Sequence, residues 1–329
     1  MSAAAGTYPQ SGITALRRLF RDRPVIPLTV LLVVLVIVME FAAPGIVSPS
    51  WAGVILRTAV PLAILAGCQT LTMLTGGIDL SVGAIASMAG FVTATLINSP
   101  GGVVQGVGVA LLAAALAGLI SGIGVGVFKV HPLIVTLGMS FIVLGFANVW
   151  QLQSVQTGSG VPDILRTIGS GRLFDVIPNS LVVFVPLVLL ILLVLRRTGY
   201  GRLLYAVGDN PVAARLAGTR SWQVLIVLYV VSALLAGIAG LVLAGATNTA
   251  SVALADSLVL PSVAAAVIGG TSILGGRGGY GGTIIGALIL TVISALLSTL
   301  GFPEAVRQIL FGAIIVLVAA AYTRVTSEG

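Results

Sequence analysis

Along most of this chain the apolar residues neither alternate nor recur at amphipathic spacing; they run on until a proline, glycine, asparagine or charged residue interrupts them. Runs of this kind predict helices that are apolar on every side, and about 20 such residues are needed to cross a bilayer. Ten runs are read as helices, at about 25–43, 52–74, 82–97, 106–128, 132–152, 180–195, 222–244, 258–274, 283–300 and 307–323. The expected fold is all-α and polytopic. A terminal segment covers residues 1–24, a transmembrane domain 25–323 and a short tail 324–329.

Composition strengthens this picture. Hydrophobic residues fill 58% of 329 positions and charged residues only 8%, with a mean hydropathy of +1.17; a soluble domain carries about 25% charged residues. No water-soluble fold hides so much apolar surface. Many of the 42 glycines lie inside apolar runs, among them Gly118, Gly122, Gly124, Gly126, Gly237, Gly240 and Gly245. Small residues there let helices approach closely in lipid. The lone Cys68 sits in an apolar run and is read as packing.

The net charge of +7 does not point to nucleic acid, because the basic residues stand at the ends of apolar runs and form no stripe interleaved with aromatics. They report topology instead. With a cytoplasmic N-terminus, Arg17, Arg18, Arg21, Arg23, Lys129, Arg196, Arg197, Arg202, Arg215, Arg220, Arg277 and Arg324 fall on the cytoplasmic side, 12 of the 16 basic residues. Arg57, Arg166, Arg172 and Arg307 remain opposite. This is the asymmetry of the positive-inside rule, and ten helices return the C-terminus to the cytoplasm. The first run, preceded by arginines and lacking an early small-residue cleavage site, reads as a signal anchor.

Several chemistries are missing. No Asp, Glu, Lys or Arg falls in the middle of an expected helix, and Asp79 and Asp256 are placed in connections, so no mid-membrane proton or sodium site is evident. No Gly-x-x-x-x-Gly-Lys-Ser/Thr loop exists to cradle phosphates, since the only lysine, Lys129, precedes Val130. Energy must then come from another polypeptide. A lone His131 cannot form a His-Glu-x-x-His zinc pair, no Gly-x-Ser-x-Gly elbow is present, and no metal site is expected. The chain reads as no enzyme.

Polar side chains within helices are few. Gln69 and Thr72 share one helical face with Gly76 a turn later, and Asn148 and Gln151 repeat the spacing in the fifth helix. Such uncharged groups suit a passage for a neutral, hydroxyl-rich solute; bonding between helices is the alternative reading. Two connections are long. Residues 153–179, rich in turn formers, face outward as a docking surface, a gate or a passive loop. Residues 196–221 face the cytoplasm. There Gly208-Asp209-Asn210-Pro211 carries helix-start chemistry, and a short helix over 212–217 ends at Gly218. With Ala213, Ala214 and Arg215 on its surface, this helix suits a groove on a soluble partner or a bed of anionic headgroups.

A faint internal repeat links Thr75–Gly90 (TGGIDLSVGAIASMAG) with Ile268–Gly286 (IGGTSILGGRGGYGGTIIG). Each follows an apolar run with Gly-Gly, a short polar turn and a second Gly-bearing run, as repeats in transporters do.

Four stretches go further: MLTGGIDLSVG at 73–83, KVHPLIVTLGM at 129–139, LYAVGDNPVAARLAG at 204–218 and VIGGTSILGGRG at 267–278. In order and spacing they closely resemble the permease subunits of ribose/xylose-type bacterial ABC sugar importers, over about residues 25–321. The resemblance implies a permease of the inner membrane that translocates a small sugar by alternating access and pairs with a second copy or homologue. It further implies a cytoplasmic ATPase that uses ATP and Mg, and a periplasmic or lipid-anchored sugar-binding protein; this chain itself needs no cofactor. In that family the segment matching Gly208, Asp209, Asn210, Pro211, Ala213, Ala214, Arg215 and Gly218 looks like the coupling helix. The resemblance marks Gly76, Gly77, Asp79, Ser81, Gly83, Gly269, Gly270, Gly275 and Gly276 as structural motif positions. One departure is visible: where many members carry a Glu-Leu-Asp-Ala-like pattern, this chain has Val259-Leu260-Pro261-Ser262. An ion-coupled sugar carrier is the competing expectation.

Overall fold

The computed structural model describes residues 25–154, 160–173 and 176–327. Each of the ten apolar runs forms a helix: α1 (Val25–Ala42), α2 (Pro49–Leu74), α3 (Val82–Thr95), α4 (Gly102–Gly126), α5 (Pro132–Ser154), α7 (Leu181–Arg197), α10 (Ser221–Thr247), α11 (Val259–Ile268), α12 (Tyr280–Thr299) and α13 (Glu304–Ser327). Between them lie α6 (Asp163–Ser170), α8 (Gly199–Asp209) and α9 (Pro211–Leu216).

Six of these helices, α1, α2, α4, α5, α10 and α12, are long and apolar enough to cross a membrane. The pair α7 and α8, bent by 70° at Thr198, makes a seventh if taken as one span. Two expected spans are corrected. The helix expected at 82–97 has 14 residues, and the one expected at 258–274 has 10 and stops at Ile268. At about 1.5 Å rise per residue neither reaches across the roughly 30 Å of hydrocarbon. Hydropathy ran on past Ile268 because the glycines that follow are not polar, yet they close a loop.

The bundle is organised around α10, which packs on α2, α3, α4 and α6. Glycine makes the approach close. On α4, Gly118, Gly122 and Gly126 recur every fourth residue, and a Cβ on Gly122 would lie 2.7 Å from the Ile226 Cα of α10. Where α10 meets α3, a Cβ on Gly240 would overlap the Ala86 carbonyl. Without a hydrophobic drive in lipid, backbone proximity of this kind supplies the packing energy.

Within the stretch 153–179, the described part is more ordered than a passive loop. Helix α6 seats Gly169 on the backbone of Gly245 and Ala246, and two short strands, β1 (Arg172–Leu173) and β2 (Ile177–Pro178), pair antiparallel with Arg172 opposite Pro178.

The connection that carries Asp79 is found between α2 and α3, as expected, and it is buried. Asp79 is 1% exposed and lies inside the bundle, not at its rim. Its Oδ1 accepts from the Ser81 backbone N–H (3.0 Å) and hydroxyl (2.6 Å), and its Oδ2 accepts from the Ser232 hydroxyl of α10 (3.2 Å). The loop reaches this depth because Gln69 meets its backbone from both sides: Nε2 donates to the Asp79 carbonyl (2.7 Å) and Oε1 accepts from the Asp79 N–H (3.2 Å). One side-chain amide thus replaces a missing turn of helix. Substituting Asp79 by Ala removes three acceptor contacts and is expected to cost about 1–3 kcal/mol for the donors left behind. Asp79→Asn, which keeps the shape and one acceptor, is expected to cost less. Thermal unfolding of the two variants in one detergent checks the order; equal loss would contradict it.

Candidate functional site at the glycine junction

Three motifs far apart in sequence meet at one end of the bundle. The first is the end of α2, where Leu74 exposes its carbonyl and Gly76 turns the chain. The second is the loop 269–279, whose Gly276 N–H donates to the Leu74 carbonyl at 3.0 Å. The third is the end of α8. A Cβ on Gly208 would overlap that same Leu74 carbonyl, and one on Gly275 would lie 2.8 Å from the Gly208 carbonyl and 3.0 Å from the Gly76 nitrogen. Gly275 and Gly276 have φ of 93° and 71°, a region that L side chains seldom adopt, so these two positions need glycine for conformation as well as for space. The Tyr205 hydroxyl of α8 donates to the Gly278 carbonyl at 2.9 Å, and the Tyr200 hydroxyl ties α8 to the Val224 carbonyl of α10.

The other motif positions serve the same packing. Gly77 faces Pro132 and Tyr229, Gly83 faces Val259 of α11, and Gly269 lies on the Gly282–Thr283 backbone of α12. Gly270, with a φ of 88°, begins the loop, and Ser81 stands just before α3 with its hydroxyl on Asp79. The two halves of the faint repeat are therefore both helix, glycine loop and helix, and their loops touch.

Helix α9 leaves this junction directly. Asn210 caps it, with Oδ1 accepting from the N–H groups of Val212 (3.1 Å) and Ala213 (2.9 Å), and Pro211 takes the first turn, where no N–H is needed. The helix covers 211–216, one residue earlier than expected, and the chain turns away through Gly218 at φ 86°. Ala214 is buried; Ala213 and Arg215 are exposed. Val212 and Leu216, one turn apart, are 54% and 85% exposed. Lys129, Arg215 and Arg220 line a cleft of about 710 Å³ between α9, the α4–α5 connection and the start of α10. Among the described residues the lining holds no carboxylate. The end of the bundle therefore presents an exposed apolar pair beside three cations.

The polar residues expected along a path divide. Gln69 and Thr72 are fully buried, and their polar atoms are engaged, those of Gln69 on Asp79 and the Thr72 hydroxyl on the Cys68 and Gln69 carbonyls of its own helix. Asn148 and Gln151 are exposed on α5. The role of Tyr205, and of α8 as a whole, escaped sequence reading; the Gly199 and Gly201 spacing marked a break there without showing a helix.

A bundle of long apolar helices, short half-helices and glycine loops, with a small capped helix projecting from one end, defines a transport permease. The family model for the permease component of branched-chain amino acid transport systems matches residues 52–319, and the chain belongs to that family. It is 37% identical to a fructose import permease protein of Rhizobium meliloti over 81% of this chain and 76% of the relative. To a ribose import permease protein of Escherichia coli it is 32% identical, over 88% of this chain and 90% of the relative. A galactofuranose transporter permease protein of Escherichia coli is 35% identical over 80% of this chain and 77% of its own length. No solved structure matches the chain. The protein is thus a multi-pass permease of the inner membrane.

The junction carries a specific expectation. Gly208→Ala should separate α8 from the Leu74 carbonyl and loosen α9, while Asn210→Ala should cost about 1 kcal/mol of local helix stability and leave the junction closed. Hydrogen exchange over 199–218 distinguishes them: protection is expected to fall across α8 and α9 in the first variant and only over 211–216 in the second.

Proposed function

We propose that this chain is the membrane-spanning subunit of an ATP-driven importer for a small sugar. The observation that carries the reading is the extent of the match: relatives named for import of ribose and fructose and for transport of galactofuranose align over 80–88% of the chain. Although the family description names branched-chain amino acids, these relatives make a monosaccharide the favoured solute.

In this reading two permease copies, or this chain and a homologue, pair in the membrane and receive sugar from a periplasmic or lipid-anchored binding protein. Ten helical segments leave both termini in the cytoplasm, with two of the segments too short to span without their loops. The apolar outer faces of α1 and α5 meet lipid or the second permease. A separate cytoplasmic ATPase binds ATP and Mg, and α9 seats in a groove on it through Val212 and Leu216, with Arg215 beside the groove's acidic rim. When the ATPase closes, α9 moves with α8, α2 and the loop 269–279 because the glycine junction leaves no slack among them. The helices then expose the path to the other side. The receptor supplies most of the solute affinity, so weak binding inside the permease suffices.

An ATPase is expected to co-purify with the chain in mild detergent and to be identified by mass spectrometry of the retained proteins. Leu216→Asp puts a charge on the docking face and should lower the ATPase recovered by about tenfold, a loss of about 1.4 kcal/mol, without changing the melting temperature of the permease. Full ATPase recovery with Leu216→Asp would remove α9 from the interface. Sugar uptake into liposomes holding this chain alone, driven by an ion gradient, would overturn the whole reading.

A further inference from the structure

We infer that the segment after α10, residues 248–257, lines the solute path, and that Asp256, at the head of the single 3-10 turn Asp256–Leu258 that leads into α11, is a sugar-binding carboxylate on it. The inference rests on the importer reading and adds a site to it.

The segment begins where Asn248 ends α10 in a left-handed conformation, φ 53°. It does not stay at the rim. The Ala255 N–H donates to the Ser87 hydroxyl of α3 at 2.9 Å, and the Ala255 carbonyl lies 3.3 Å from where a Cβ of Gly83 would stand. The depth of these contacts can be read along α10, because α3 runs parallel to it with Ala86 against Gly240 and Gly90 against Ala244. Gly83 is one turn further in, so Ala255 lies about 15 Å inward from Thr247, close to the middle of a helix about 40 Å long.

Irregular backbone at that depth persists only where protein buries it or where it borders water. Protein buries Ala255, which is wholly inaccessible, but its neighbours are not covered: Ser251, Asp256 and Ser257 are exposed, as are Asn248 and Thr249 nearer the rim. Among the described residues the Asp256 carboxylate makes no hydrogen bond and no ion pair. A carboxylate facing lipid at mid-depth costs at least about 2.5 kcal/mol, so water or a polar solute must stand in front of it. The two oxygens of a carboxylate accept a pair of hydroxyl donors, which is what adjacent hydroxyls of a monosaccharide present, and the Ser251 and Ser257 hydroxyls can donate to or accept from others. Gln69 and Thr72 are engaged elsewhere, so the exposed groups of this segment are better placed than they are to meet a solute.

The test uses the permease assembled with its ATPase in proteoliposomes, in a Cys68→Ala background. Asp256→Cys should react with a membrane-impermeant methanethiosulfonate reagent, whereas Leu112→Cys, on the apolar outer surface, should not. Whichever of D-ribose, D-fructose and D-galactose the wild-type complex takes up should slow the reaction at position 256 at least threefold. Independently, Asp256→Asn should raise the KM for uptake about tenfold with kcat changed less than twofold and the ATPase still bound, and Asp256→Glu should recover most of the loss. A thiol introduced at position 256 that stays unreactive, that cross-links to its counterpart in a second copy, or that reacts without protection by a transported sugar would overturn the assignment, as would a wild-type KM in Asp256→Asn. Failure of the wild-type complex to take up any sugar or retain an ATPase would instead strike the importer reading.

Discussion

A backbone that leaves a helix inside a membrane must find new hydrogen bonds at once, because no water is there to supply them. The architecture of this permease follows from how it meets that demand. Where α2 ends, the Leu74 carbonyl is taken by the Gly276 N–H from a loop far later in the chain. Where the chain turns back toward α3, the Gln69 amide takes both backbone groups of Asp79. Where α10 gives way to the segment before α11, the Ser87 hydroxyl takes the Ala255 N–H. The first solution closes one end of the bundle, and the other two hold irregular chain inside it.

Glycine makes these solutions compatible with one another. Two loops and a helix end share the space around the Leu74 carbonyl only because Gly208, Gly275 and Gly276 bring no side chains to it. The close fit has a mechanical consequence. Helix α9 follows α8 after one intervening residue, so a load applied at Val212 and Leu216 passes into backbone that is packed on α2 and on the loop ahead of α12. The surface that meets the ATPase and the loops that shape the path are thus parts of one body in the importer reading.

Much of this was legible in the residues. Each unbroken apolar run located a helix within a few residues at most ends, though two of those helices are too short to span, and Asn210-Pro211 with Gly218 marked α9 because capping chemistry is local. The glycine stripe on α4 announced close packing for the same reason. The failures share one cause, which is that hydropathy treats any polar or glycine-rich break as lying outside the membrane. Asp79 was placed in a connection, as the structure has it, yet hydropathy did not show that this connection is buried in the bundle. Gln69, an amide in an apolar helix, drew attention as a solute ligand, whereas its partner is a backbone ten residues on, a pairing that no periodicity reveals. The meeting of Gly76, Gly208 and Gly276 is likewise a property of three dimensions alone.

The central claim is that α9 and the glycine loop move as a unit. It is tested most directly by double electron–electron resonance between spin labels on Ala217 and Leu274, both exposed, in the permease–ATPase complex with Cys68 replaced. The distance should stay unchanged, with the same width, between the nucleotide-free and ATP-trapped states, while the distance from Ala217 to its counterpart in the second permease changes. An Ala217–Leu274 distance that shifts or broadens on ATP binding would show that the junction slips, and coupling through it would fail.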